Sequence, residues 1–176
     1  MEGGIKAWQG LVATGVPEAG MAYFKGTENP EELIALAWSL EEGTRRFYSD
    51  LAKTLPDEEA ARLFRNLTIA EEHHKASLLG VLRDITGREP QADFPGALFA
   101  GEVGEIMEGG VSVSKAIEWT RGKPASDALD LSVSLETNAY DLYLKMMAAM
   151  KDERAAKVFR VLADEEKVHL NRLSAL

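Results

Sequence analysis

The chain has 176 residues, enough for one domain with a sizeable core, and 45% of them are hydrophobic. Its formal net charge of −9 repels a phosphate backbone, so no nucleic-acid partner is expected. It contains no cysteine, which excludes disulfides, zinc ribbons, rubredoxin-type iron sites and thiol catalysis.

Residues 1–28 are Gly-rich and lack helical periodicity beyond a short piece near Ile5–Leu11, as expected of a leader or linker. A domain is expected over 29–176. Its first helix starts at Asn29-Pro30-Glu31-Glu32, where Asn29 caps, Pro30 suits the first helical position and the glutamates suit the positive helix start. The apolar stripe Leu33, Ala37, Leu40, Phe47, Leu51 and Leu55 carries this helix to Pro56. A second helix begins after Asp57, carries Leu63, Leu67, Leu78, Leu82 and Ile85, and stops at Gly87.

Frequent Gly and Pro mark residues 88–123 as a long crossover connection, with short helical turns expected at about 102–108 and 113–121. A third helix is expected from about Pro124 to Met150. The fourth follows Asp152, with Ala155, Phe159, Leu162 and Leu173 on one face. Adding 95 to residue numbers superposes the halves without a gap: Glu41, Tyr48, Asp57, Phe64, Glu71 and His74 become Glu136, Tyr143, Asp152, Phe159, Glu166 and His169. Two similar helical hairpins joined by a long connection predict an all-α, ferritin-like four-helix bundle.

Glu71-Glu72-His73-His74 and Glu166-Lys167-Val168-His169 each contain Glu-x-x-His, and residues three apart share a helix face. Each motif has a glutamate 30 residues earlier, Glu41 and Glu136, followed after seven residues by Tyr48 and Tyr143. All six Glu and His side chains fall on the apolar stripes. Four carboxylates in one core repel one another, and a buried unpaired carboxylate costs several kcal/mol or takes up a proton. Two divalent cations balance four negative charges, so Glu41, Glu71, His74, Glu136, Glu166 and His169 are the expected metal ligands. Hard oxygen with one nitrogen per metal suits two iron ions, with manganese or zinc as alternatives.

One Glu-x-x-His alone more often marks a solvated helix face; the paired occurrence, each with its upstream Glu, favours the metal. Tyr48 and Tyr143 either fill the core or hydrogen-bond a ligand carboxylate. His73, Glu42 and Glu72 are expected at the surface, as is Glu165 unless it supports a histidine. Met146, Met147, Met150, Trp38 and Trp119 are expected to pack.

At Leu40-Glu41 with Phe47-Tyr48, Ala70-Glu71-Glu72-His73-His74, Glu136-Thr137-Asn138-Ala139-Tyr140 and Ala163-Asp164-Glu165-Glu166-Lys167-Val168-His169, the chain resembles the rubrerythrin-like branch of the ferritin-like superfamily. The resemblance implies that Glu71 and Glu166 bridge the metals, that Glu41 and Glu136 are terminal ligands and that each histidine takes one metal. It further implies a non-haem di-iron oxidoreductase that reduces hydrogen peroxide or dioxygen in oxidative-stress defence, with ferroxidase or iron handling as an alternative. Rubrerythrins carry an additional ligand glutamate one turn beyond the third helix's ligand. Ala139 stands there in this chain, which leaves a six-ligand site as in bacterioferritin. Without cysteine, electrons must come from an external donor.

Glu2-Gly3-Gly4-Ile5-Lys6-Ala7-Trp8 with Gly15-Val16-Pro17 resembles the end of a rhodanese domain. This implies a rhodanese fusion and a third possible role as a non-catalytic metal module, with no sulfurtransferase activity in the chain itself. No long apolar run predicts a membrane span and no secretory signal is visible, so a cytoplasmic protein is expected. Homo-oligomerisation as a dimer is expected from the tendency of such bundles to pair.

Overall fold

A computed structural model describes residues 29–98 and 102–175. The expected leader, with its rhodanese-like tail, lies outside the described residues. Four long helices dominate: α1 (Pro30–Thr54), α2 (Glu58–Thr86), α4 (Ala125–Ala149) and α5 (Glu153–Leu173), with a short α3 (Val113–Thr120) in the connection. The architecture is an all-α, ferritin-like helical bundle.

The helix ends follow from local chemistry. Asn29 accepts from the Glu32 backbone N–H at 3.0 Å while the Glu32 carboxylate accepts from the Asn29 N–H at 2.9 Å, a reciprocal capping box. Asp57 caps α2 by accepting from Ala60 N–H at 2.9 Å, and its repeat counterpart Asp152 accepts from Ala155 N–H at 3.1 Å. Gly87 ends α2 in the left-handed region, at φ 67°.

The α1–α2 and α4–α5 hairpins are each closely packed, and they meet along α2 and α5. Two apolar clusters fill the interior. One is built around Leu36, Leu40, Leu78, Leu142, Met146, Phe159 and Leu162. The other contains Phe47, Leu51, Phe64, Leu67, Leu131, Leu135 and Leu173. Burying each such side chain contributes roughly 1.5–3 kcal/mol relative to exposure. Along every long helix the chemically active positions fall between the two clusters. Glu71 and His74, for example, stand between Leu67 and Leu78.

The connection departs from expectation. Residues 113–120 are helical, but the expected turn of helix at 102–108 is absent. A two-residue strand β1 (Ile106–Met107) pairs antiparallel with β2 (Val111–Ser112) around a 3-10 turn at Glu108–Gly110. Gly109 and Gly110 turn the chain at φ 72° and 70°, a conformation that other residues adopt at a cost. The small hairpin packs against α1 through β1 and against α4 through its turn. Gly43 permits this approach, because a Cβ there would lie 2.2 Å from the Ile106 carbonyl oxygen. Helical periodicity could not reveal such a wedge, whose form depends on glycines in two separate elements.

Candidate metal centre

Glu41, Glu71, Glu136 and Glu166 are all fully buried, and His74 and His169 are 1% and 2% exposed. Their burial follows from their register on the apolar stripes, which face the bundle interior. Ligand atoms of Glu41, Glu71, His74 and Glu166 lie within 4.8 Å of one another, and so do those of Glu71, Glu136 and His169. All six residues expected from the sequence therefore converge, in two groups that share Glu71.

Both imidazoles turn Nδ1 toward the carboxylates. His74 Nδ1 lies 3.1 Å from Glu41, 3.1 Å from Glu71 and 3.4 Å from Glu166. His169 Nδ1 lies 3.1 Å from Glu166 and 3.3 Å from Glu136. The two rings are nearly parallel, with centroids 5.2 Å apart. On the outer side, His74 Nε2 approaches Glu165 Oε2 at 2.7 Å, a close ionic contact outside hydrogen-bond geometry. The histidine that Glu165 approaches is thus His74; the repeat counterpart of Glu165 is Ala70, so His169 has no matching carboxylate from that position.

The tyrosines cross between hairpins. Tyr48 on α1 donates to Glu136 on α4 at 2.5 Å, and Tyr143 on α4 donates to Glu41 on α1. Both hydroxyls are pushed well above the usual phenol range, first by burial and then by the charges of Glu136 and Glu41 respectively. They therefore stay protonated as donors.

The carboxylates divide in character. Burial would raise Glu41, but the adjacent His74 outweighs it and holds the group down at about 2. Glu136 is likewise held low against burial, with His169 and Tyr48 among the causes. Glu71 and Glu166 are driven well above the usual range, by burial first and by the charges of Glu41 and Glu136 second. His74 is raised because Glu41 and Glu71 overcome its desolvation.

Of the peripheral expectations, His73, Glu72 and Glu165 are exposed, Met146 is buried, and Trp38 and Trp119 pack against the apolar clusters. Glu42 is not freely solvated. Its side chain is 16% exposed, bound to Arg45 at 2.7 Å and to Lys75 at 2.5 Å. Lys75 also lies over the Trp38 ring, so this network covers the site's outer edge at α1 and α2.

One buried acid escaped the sequence reading. Glu108, in the hairpin turn, is fully buried and meets both Thr44 and Tyr143. Its only trace in the sequence is an acid among Ile106, Met107, Val111 and Val113.

The donor set suits a pair of cations on structural grounds. Both oxygens of Glu71 and Oε1 of Glu166 are buried without a hydrogen-bond partner, although buried carboxylates ordinarily have one. Glu71, the residue common to the two groups, turns Oε2 toward His74 Nδ1 at 3.1 Å and Oε1 toward His169 Nδ1 at 3.7 Å, and Glu166 Oε1 lies 3.4 Å from His74 Nδ1. The combination defines a helical-bundle protein with a buried Glu/His cluster suited to metal binding.

Comparison with known proteins agrees. The rubrerythrin family matches residues 14–94 and 97–176, and the chain belongs to that family. The solved structure of a hypothetical protein from Pyrococcus furiosus is similar at a TM-score of 0.62 and 26% sequence identity, over 92% of this chain and 93% of that one. Among curated proteins none matches the chain. Among the described residues no helix is long and apolar enough to cross a membrane.

Proposed function

We propose that the chain is a di-iron carboxylate oxidoreductase that reduces hydrogen peroxide or dioxygen. The observation that carries this reading is the set of three unpartnered, buried carboxylate oxygens, both of Glu71 and Oε1 of Glu166, beside two inward-facing imidazoles. Glu71 and Glu166 would bridge the metals, Glu41 and Glu136 would hold one each, and His74 and His169 would each supply one nitrogen.

When bound, a ferrous pair would supply the two electrons that, with two protons, peroxide needs to become two waters. The protein's part is to hold the site dry and its ligands in place. Tyr48 and Tyr143 orient the terminal carboxylates through protonated hydroxyls, and the two apolar clusters exclude water on either side. Because the chain has no cysteine, electrons would come from a separate donor.

The test is to load the protein with ferrous iron without oxygen and follow its absorbance after adding hydrogen peroxide or air. Rapid reoxidation by peroxide supports a peroxidase. A faster reaction with dioxygen and continued turnover of added ferrous iron would indicate a ferroxidase instead. Bound metal inert to both would indicate a non-catalytic metal module.

A further inference from the structure

Five carboxylates, not four, are fully buried around this centre, and the fifth comes from outside the bundle helices. Glu108 sits in the turn of the crossover hairpin that wedges between α1 and α4. Its backbone N–H donates to Thr44 Oγ1 at 3.4 Å, and the Thr44 hydroxyl donates to Glu108 Oε2 at 3.0 Å. Its other oxygen lies 2.9 Å from the Tyr143 hydroxyl, which also contacts Glu41. Among the described residues no cation pairs with it.

The donors are unevenly spread over the bundle. α2 and α5 each give a glutamate and a histidine, whereas α1 and α4 give one glutamate apiece. Glu108 enters on that poorer side. Two further features hold it there. Gly43 lets the hairpin backbone rest on α1, and Gly109 seats the turn against Asn138 of α4, where a Cβ would meet Asn138 Nδ2 at 2.9 Å.

Charge decides what such a group is for. Four ionised carboxylates balance two divalent ions, so a fifth adds nothing to a divalent pair. Two trivalent ions carry a charge of six and still attract it.

We propose that Glu108 is a fifth carboxylate of the metal centre, delivered by the crossover hairpin, and that it favours the pair of cations at their trivalent charge. This rests on the metal-centre reading above and deepens it, because a centre that holds only divalent ions gains nothing from the residue. Glu108→Gln is the direct variant. It keeps the shape, accepts from Thr44 through its carbonyl and donates to the Tyr143 oxygen through its amide.

The experiment uses two probes on the full chain, cobalt(II) and gallium(III), each titrated against a competing chelator. Glu108→Gln is expected to leave cobalt(II) affinity nearly unchanged and to lower gallium(III) affinity about 10–100-fold. Gly43→Ala, which displaces the hairpin without touching a ligand, should show the same selectivity while circular dichroism reports an intact helical fold. Equal affinities in parent and variant for both probes would overturn the proposal, and so would an equal loss for both, which marks a purely structural wedge. In either of those cases the metal-centre reading survives if Glu71→Ala abolishes binding. A parent chain that binds neither probe defeats both.

Discussion

Tyr48 donates to Glu136 across the bundle at 2.5 Å, and its repeat counterpart Tyr143 donates back to Glu41. Each hairpin thus fixes a carboxylate of the other. A hydrogen bond to a charged group contributes about 1.5–3 kcal/mol. Tyr48→Phe should therefore lower the stability of the metal-free protein by about that amount in urea denaturation. It should also weaken metal binding roughly 10-fold or more, because the freed Glu136 loses its orientation.

Metal should stabilise the fold by mass action. Cobalt(II) at 100 times its dissociation constant adds about 2.7 kcal/mol for one site. The parent's melting temperature should rise accordingly, while Glu71→Ala and Glu166→Ala should show little or no rise. Thermal unfolding with and without the ion checks this.

The pH dependence of the metal-free protein follows from the opposed shifts. Glu71, Glu108 and Glu166 have folded values well above 4.5, so the folded state binds more protons than the unfolded one above that pH. Their contribution is fully present below about pH 4.5 and is lost as pH rises. His74 is raised above 6.5 and acts in the same sense, its stabilisation present below 6.5 and lost at higher pH. Glu41, at about 2, does the reverse: its contribution is present above 4.5 and fades as pH falls toward 2. Metal-free stability should therefore peak near pH 4.5 and decline on the alkaline side, more steeply above pH 6.5. A metal that binds the carboxylates should reverse that decline. Denaturation midpoints between pH 4 and pH 9 check both arms.

Gly43→Ala should cost about 1–3 kcal/mol by overpacking, since its Cβ would meet the Ile106 carbonyl at 2.2 Å. Gly80 is a built-in control: nothing lies within 4 Å of a Cβ there, so Gly80→Ala in the same bundle should stabilise. Paired urea titrations of the two variants measure the difference.

The six converging residues were legible because helices impose a period. Three-residue spacing put Glu71 with His74 and Glu166 with His169, and the 95-residue repeat tied the halves together. The caps at Asn29, Asp57 and Gly87 were legible for the same local reason. Glu108 was not, because a two-residue strand and a glycine turn have no period to detect. Its burial depends on Gly43, more than sixty residues earlier in the chain. Glu42 was misread as solvated because its partner Lys75 comes from another helix, a contact that position on a helical wheel cannot reveal.

The most direct test of the central claim is iron content after anaerobic ferrous loading and removal of free metal. The account predicts two irons per chain, falling in Glu71→Ala and Glu166→Ala because each removes a carboxylate that the proposed function assigns to both metals. A parent chain that retains no iron, or variants that retain as much as the parent, would contradict it.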